Sequence, residues 1–445
     1  MGAVTAKVRD KIIVIDDDPT GSQTVHSCLL LTAWDVETLR HALSDPAPLF
    51  FILTNTRGMN ADDAARLTRS VCRNLQTALD KLKSAGLNIR PIFVSRSDST
   101  LRGHYPVETD VMAEELGPFD AHFLVPAFFE GGRITRNGHH YLLIDGVPVA
   151  AHETEFARDA VFGYRHSYLP DYVEEKTAGR ITAAAVIHFS LADIRKDCTA
   201  RLRDLRGNAC CVVDAVQQSD LDSFCESVRA AVKDGKRFLF RSAASLLTSL
   251  AHLPPQPLPP EAMSAYALGA TGVIIVGSHV RKTTEQLTIL LQEPTTIGVE
   301  VDVDRCVGPK AKDLLGALLR QIADAYALEK TAVVFTSRSE RTCADTRERL
   351  RFGMAVSTFL MQIVQGLPHD IGFLISKGGI TSNDVLSTGL GLKTCQVLGQ
   401  ILPGCSVIRC PEDHPRHPRM PVVIFPGNVG DAAALATVYR RLSGK

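Results

Sequence analysis

No apolar run in this chain of 445 residues reaches the ~18 residues that a membrane-spanning helix needs. A membrane is therefore not an expected partner. The N-terminal stretch Met1–Asp10 is short and polar, without the apolar centre of a secretion signal. Net charge is also missing, since 49 Lys and Arg offset 49 Asp and Glu. That argues against nucleic acid as the main partner, because backbone binding draws on a basic field. The eleven cysteines are odd in number and contain no CxxC pair, so neither a disulfide framework nor a zinc cluster is indicated. They read as buried reduced thiols of a cytoplasmic protein. There is no Walker A sequence, no short repeat and no low-complexity tract. What remains, 45% hydrophobic, 22% charged and only 6% aromatic, is the composition of a globular chain.

Single cores stop growing near ~250–300 residues, so the length predicts two domains. The break falls at Leu253–Pro260, where five prolines in eight residues forbid helix or central strand and favour a stiff extended linker. The expected division is 1–252, linker 253–260, and 261–445. In the first part, Ile12–Ile15, Leu49–Leu53, Ile89–Val94 and His122–Val125 read as buried strands. A helix between the second and third is marked by Asn60 as cap, Leu67, Val71, Leu75 and Leu79 at four-residue spacing, and Gly86 as stop. Ala184–Phe189, Ala209–Val213 and Arg237–Phe240 fit further strands. After the prolines, Val273–Val276, Ala332–Phe335, Ile371–Ile375 and Val422–Phe425 read as strands, with a long helix at about Asp345–Gln365. The fold class is α/β: two domains, each a mainly parallel sheet flanked by helices.

Polar clusters follow the strands of the first domain. Asp16-Asp17-Asp18-Pro19-Thr20-Gly21-Ser22 follows the first and Thr54–Gly58, with Arg57, the second. Ser95–Gly103 follows the third, and Pro126-Ala127-Phe128 the fourth. Open α/β sheets bind ligands beyond the carboxyl ends of their strands, so the clusters predict one shared site. Arg96, Arg102 and Arg57 supply planar forks of donors for a carboxylate or phosphate. Asp98 suits sugar hydroxyls, as an acceptor of their hydrogen bonds or their protons. Ser99 and Thr100 add hydroxyls, and Gly103 permits close approach of backbone to ligand. Arg133, in the glycine- and arginine-rich segment Gly131–Gly138, adds another anion binder. The bland alternative for Ser95–Gly103 is a polar loop with a local Asp98–Arg102 pair. The aspartate triplet has three readings: carboxylates for substrate hydroxyls; the DxDxT nucleophile motif of haloacid dehalogenase-like phosphatases, with Asp16 as nucleophile; or caps for the N-terminus of a following helix.

The second domain carries three glycine turns after strands: Gly277-Ser278-His279, Lys377-Gly378-Gly379-Ile380-Thr381, and Pro426-Gly427-Asn428-Val429-Gly430. Such turns present backbone N–H groups to phosphate oxygens, and three of them predict a nucleotide site. His414 and His417, flanked by prolines, read as a solvated loop, since no Cys or acid spacing completes a ligand set.

Together these motifs resemble the four-carbon acid sugar kinase family, over nearly the whole chain. The carrying residues are Asp16–Ser22, Arg96–His104 (the most specific match), Pro126–Phe129 with Gly132-Arg133, Gly277–Val280 with Thr283 and Gln286, Gly378–Thr381, and Pro426–Gly430. The resemblance implies that the first domain binds a sugar acid and the second binds ATP, accompanied by Mg²⁺, with the active site in the cleft between them. Catalytic roles would fall to Asp17, Asp18 or Asp98. Arg57, Arg96, Ser99, Thr100, Arg102, Gly103 and Arg133 would bind substrate. Ser278, Gly378, Gly379, Ile380, Thr381 and Gly427 would bind the nucleotide. A homo-oligomer is left open.

Three positions depart from the family pattern. Asp16 stands where Ala is common, Arg96 where Lys is common, and Ile380 where an acid is common, so no metal ligand is assigned; Asp384, one helical turn on, is the acid at hand. The alternatives are the phosphatase, for which no later lysine and downstream acidic pair are found, and a sugar-acid binding protein without turnover.

Overall fold

The computed structural model describes residues 8–338 and 346–444; the segment Met1–Lys7, Cys343 and Asp345 lie outside them. Two compact units divide between Pro255 and Gln256. In the first, strands β1 (Arg9–Asp16), β2 (Cys28–Leu31), β3 (Leu49–Leu53), β4 (Ile89–Arg96) and β5 (Ala121–Val125) are followed by a small antiparallel sheet. That sheet comprises β6 (Arg133–Arg136), β7 (His139–Ile144) and β8 (Val147–Ala150). Then come β9 (Ile187–Phe189), β10 (Ala209–Val213) and β11 (Phe238–Ser242). The main strands run parallel in the order β2-β3-β1-β4-β11-β5-β10-β9.

The continuous apolar runs are explained by burial on both faces. On one face Ile13, Ile15, Phe50 and Ile52 pack with Leu39, Val71 and Leu75 from helices Val36–Ser44 and Ala61–Ser84. The longer of these helices is capped by Asn60, whose side chain accepts from the Asp63 N–H at 2.9 Å. Farther along the same face Leu124 and Val212 pack with Tyr105, Tyr164 and Tyr172. On the opposite face Phe123 and Phe240 stack, and Phe123 meets Phe224 of the helix Gln218–Lys233. The alanine run was expected to extend a strand over Ala184–Phe189. Instead Ala183–Ala185 forms a 3₁₀ turn and only Ile187–Phe189 pairs, in line with the weak strand preference of alanine.

In the second unit, β12 (Val273–Val276), β13 (Thr296–Val301), β14 (Thr331–Thr336), β15 (Leu374–Lys377), β16 (Thr394–Leu402), β17 (Cys405–Arg409) and β18 (Pro421–Phe425) lie in the order β13-β14-β12-β15-β18-β17-β16. All neighbours are parallel except the β18–β17 and β17–β16 pairs. The fourth run starts pairing at Leu374, later than expected from Ile371. Ile274, Val276, Ile375 and Phe425 pack with Leu435, Val438 and Tyr439 of the helix Ala434–Ser443. The helix expected from Asp345 is described from Thr346 to Gln365.

The proline segment is anchored within this unit. Gln256 donates to the Gln400 carbonyl at 3.1 Å and accepts from the Gln400 N–H at 2.9 Å. The His414–His417 loop is not solvated as expected. His414 donates to the Leu390 carbonyl at 2.8 Å through Nε2 and accepts the His417 N–H at 2.9 Å through Nδ1, and His417 is buried. Both His414 nitrogens are used in holding the loop. The ten cysteines among the described residues are buried and free, and no described helix is long and apolar enough to cross a membrane.

Candidate functional site

In the first unit β1 lies between β3 and β4. The chain builds β2 and β3 on one side of β1, then crosses to β4 on the other. Where crossovers diverge like this, a crevice opens at the carboxyl ends of the two strands. Register puts Asp16, the last residue of β1, beside Arg96, the last of β4. The acid triplet follows directly, and no helix follows it, so the capping reading fails: residues 17–24 are turns.

Arg57, carried by the 3₁₀ turn Thr56–Gly58 after β3, organises the acids. It reaches Asp17 at 2.6 Å through Nη2 and at 3.3 Å through Nε, and Asp18 at 3.2 Å through Nη1. Asp17 is buried, and burial pushes its carboxyl above the usual range, with Glu108 adding to the push against Arg57. Burial acts on Asp18 too, but Arg57, Arg96 and the hydrogen bonds from Thr20 outweigh it and hold Asp18 below the usual range. Asp16 is enclosed altogether. Its nearest cation is Arg96 Nη1 at 3.7 Å, its Oδ2 has no hydrogen-bond partner, and burial pushes it up to about 8. A Cβ on Gly21 would stand 1.7 Å from that Oδ2, so glycine is what gives this carboxylate room.

The loop after β4 is held open by residues far from it in sequence. Leu101 and Gly103 take φ of 65° and 116°, values costly for most residues but open to glycine. The carbonyls of Ser99, Thr100 and Leu101 accept hydrogen bonds from His140 Nε2 at 2.7 Å, Tyr164 at 2.7 Å and Tyr172 at 2.8 Å. Burial lowers the His140 pKa to about 4. The ring is therefore neutral, donates at Nε2, and accepts the Thr135 hydroxyl at Nδ1, 3.0 Å away. Within the loop Asp98 accepts from Arg102 Nε at 2.7 Å and from the Thr100 hydroxyl. Burial opposes ionisation, yet Arg57 and Arg102 hold Asp98 far below the usual carboxylate range. The local Asp98–Arg102 pair is thus real and sits at a strand end facing the acid triplet's arginine. Arg102 also lies 3.7 Å from Asp159 and over the Phe156 ring at 4.9 Å. Arg133 starts β6, donates to the Gly131 carbonyl, and has its pKa lowered by burial.

Two charged residues passed unnoticed in the sequence. Arg241, near the end of β11, lies beside Ser95 in register and donates through Nη1 to Ser95 Oγ at 2.6 Å and Glu108 Oε2 at 2.5 Å. Glu108, in the helix Val107–Leu116, also accepts from the Thr56 hydroxyl at 2.5 Å. The signal existed: Arg241 ends an apolar run as Arg96 does. Arg241 lines one narrow cavity with Asp98, Arg102, Tyr105 and Tyr172.

The second unit repeats the topology. β12 lies between β14 and β15, with Val276 beside Lys377 in register, so the turns after β12 and β15 face one crevice. A Cβ on Gly378 (φ 122°) would come 3.2 Å from Ser278 Cβ and 3.1 Å from Thr381 Oγ1, and one on Gly277 2.2 Å from Thr381 Oγ1. A Cβ on Gly427 would lie 3.4 Å from Ser278 Oγ. Ser278, Gly378, Thr381 and Gly427 are thus gathered at one place. Thr283 donates to Gly427 O at 3.2 Å, and Gln286 to Val429 O at 2.9 Å. Lys377 Nζ, buried at the end of β15, donates to the Pro426 and Gly427 carbonyls at 2.7 and 3.2 Å and stands 4.0 Å from the Phe425 ring centre. Burial lowers its pKa to about 7. Gly379 opens the helix Gly379–Asp384, while Ile380 is 70% exposed. Asp384 is engaged by Ser357 Oγ and by Asn383 Nδ2.

Two α/β units, one with an acid–arginine cluster and one with glycine turns at its switch point, define a two-domain α/β protein. Residues 12–250 match the model of a sugar-binding N-terminal domain and residues 273–435 that of a nucleotide-binding C-terminal domain. The chain belongs to the four-carbon acid sugar kinase family. It is 27% identical over 315 residues to a D-erythronate kinase of Heliobacterium modesticaldum, covering 67% of this chain and 64% of that protein. It is 29% identical over 165 residues to a D-threonate kinase of Bordetella bronchiseptica, covering 35% and 37%. The chain thus aligns with less than two thirds of the length of either relative. In fold it is similar to a protein from Salmonella typhimurium LT2 (TM-score 0.68, 20% identity, 97% of this chain and 98% of that one). A Haemophilus influenzae protein is similar as well (TM-score 0.66, 18% identity, 97% and 100%).

Proposed function

We propose that the protein is an ATP-dependent kinase that phosphorylates the terminal hydroxyl of a four-carbon acid sugar, of the erythronate, threonate or 3-oxo-tetronate type. The observation that carries this reading is the interleaving of Asp17, Asp18 and Asp98 with Arg57, Arg96 and Arg102 at the β1/β4 switch point. Such a cluster suits a ligand with both hydroxyls and one anionic group. The arginines supply the positive field that an anionic group needs, and Asp18 and Asp98, kept ionised, accept hydrogen bonds from hydroxyls. Asp17, the one of these three whose pKa is raised, is the best-matched acceptor for the proton of the attacking hydroxyl.

The turns that gather Ser278, Gly378, Thr381 and Gly427 at one crevice suit nucleotide phosphates through their backbone N–H groups. ATP bound there, against Ser278, Gly378–Thr381 and Gly427, supplies the phosphoryl group. Among the described residues no three His, Cys, Asp or Glu side chains gather as a metal cage. Mg²⁺ would therefore arrive chiefly on the phosphates. The chain's contribution is then positioning and charge, on which phosphoryl transfer mainly depends. The phosphatase reading is disfavoured because its nucleophile would be Asp16, which is enclosed against Gly21. A binding protein without turnover would not need the second, glycine-turn unit.

With Mg·ATP and a panel of four-carbon sugar acids, the purified protein is expected to release ADP and form a phosphorylated acid. A folded protein that turns over none of them defeats the proposal. A second result is expected at Gly378. Alanine there meets both a positive φ and the Ser278 and Thr381 side chains, so Gly378→Ala is expected to weaken ATP binding about fivefold to 150-fold, the equivalent of strain of about 1–3 kcal/mol. Sugar-acid affinity should be unchanged. Calorimetry with each ligand separately checks this, and unaltered ATP affinity would move the nucleotide elsewhere.

A further inference from the structure

We propose that Arg241 is a substrate-binding residue, and that its free Nη2 receives the carboxylate of the sugar acid. The inference rests on the function proposed above. Of the other arginines at the site, Arg57 is bonded to Asp17 and Asp18, and Arg102 is bonded through Nε to Asp98, with Asp159 3.7 Å away and the Phe156 ring beneath. Arg96 and Arg133 also keep a buried Nε without a hydrogen-bond partner, but neither lines the cavity that Arg241 shares with Asp98 and Arg102. Arg241 is 5% exposed, and only its Nη1 is engaged, by Ser95 and Glu108. Its Nη2 is buried with no hydrogen-bond partner. Leaving a charged donor unpaired in the interior is expensive unless a ligand completes it.

The surroundings agree. Glu108 anchors one edge of the guanidinium and is itself fixed by Thr56, so the plane cannot swing to find another partner. Arg241 shares its cavity with Arg102 and Asp98, a second cation and an acceptor for hydroxyls, against the rings of Tyr105 and Tyr172. Gly103 keeps the approach clear, since a Cβ there would stand 2.7 Å from Nη2 and 2.9 Å from Asp17 Oδ2. A ligand anchored at Nη2 therefore lies close to Asp17, the acid proposed to take the hydroxyl proton. A neutral polyol offers Nη2 a weaker acceptor than a carboxylate, so Arg241 would make the site select an acid.

The test uses calorimetry on the full chain with erythronate, threonate and the matched neutral polyol erythritol, without nucleotide. Arg241→Gln alone would strand Glu108, so the main variant is Arg241→Gln with Glu108→Gln; Arg241→Lys, which preserves the charge beside Glu108 but not the fork, is the second. In a variant whose melting temperature stays near wild type, acid affinity is expected to fall about tenfold to hundredfold, with erythritol and ATP affinities unchanged. Acid affinity retained in either folded variant, or lost in parallel with erythritol, overturns the assignment while leaving the kinase reading standing. A wild-type protein that binds neither acid overturns both.

Discussion

Arg57→Met is expected to cost about 3–5 kcal/mol of folding stability at neutral pH, the usual penalty for stranding one side of a buried ion pair, and to abolish sugar-acid binding. Among the described residues Arg57 is the sole partner within 3 Å of the buried Asp17 carboxylate, and it is the cation first among those holding Asp18 and Asp98 down. Methionine keeps the volume of the stem and removes all the donors. The pH dependence follows from Asp18 and Asp98. Their folded pKa values lie below the unfolded value, so their ionisation contributes stability above ~3.9 that is lost as pH falls through the folded values. Arg57→Met forfeits that contribution. The deficit against wild type should be full at pH 7 and smaller near pH 3, below the unfolded carboxylate value. Denaturant unfolding at the two pH values measures it, and a variant as stable as wild type at pH 7 would show that the acids do not depend on Arg57.

The same cluster shows what could be read before the fold was known. Strand ends were legible because β1, β3, β4 and β5 are buried on both faces and write themselves as unbroken apolar runs. Polar residues directly after such runs must lie near the carboxyl edge of the sheet, so the location of the Asp16–Asp18, Arg57 and Asp98–Arg102 groups was implicit. Strands that lack this signature went unread. β13 is an edge strand, half exposed, and contains Gly298; β6 and β7 mix arginine and histidine into short hairpin strands; β16 is broken by register shifts around Gly399. Partners were harder still. Nothing local links Arg241 to Glu108, 133 residues away, or the Ser99 carbonyl to His140. The three glycine turns together predict a nucleotide site, but their convergence on Ser278 depends on β12 lying beside β15, a pairing of residues about a hundred positions apart. The reading of His414 and His417 as solvated failed for a related reason. Proline and histidine look like loop residues, and the packing of that loop on Leu390 is visible only in three dimensions.

Asp17→Asn is expected to lower kcat by about 10²–10⁴-fold, the usual worth of a positioned general base, while Asp16→Ala keeps kcat within a few-fold of wild type. The two neighbours differ in what they touch. Asp17 faces Arg57 and the approach at Gly103, whereas Asp16 is sealed against Gly21 with one oxygen unpartnered. Stability should move the opposite way to what loss of a charge at a working site suggests. The folded pKa of Asp16, about 8, lies above the unfolded value. The folded chain therefore holds a proton that the unfolded chain has released, and the stability Asp16 contributes when protonated is lost as pH rises from ~4 toward 8. Alanine removes the liability. Asp16→Ala should thus gain melting temperature relative to wild type, more at pH 8 than at pH 5. Paired thermal melts and ADP-release rates on the two variants decide the matter. A folded Asp16→Ala protein without turnover, beside an active Asp17→Asn protein, would make Asp16 the reacting group, as a phosphatase of the DxDxT type requires for its aspartyl-phosphate, and would end the kinase assignment of this loop.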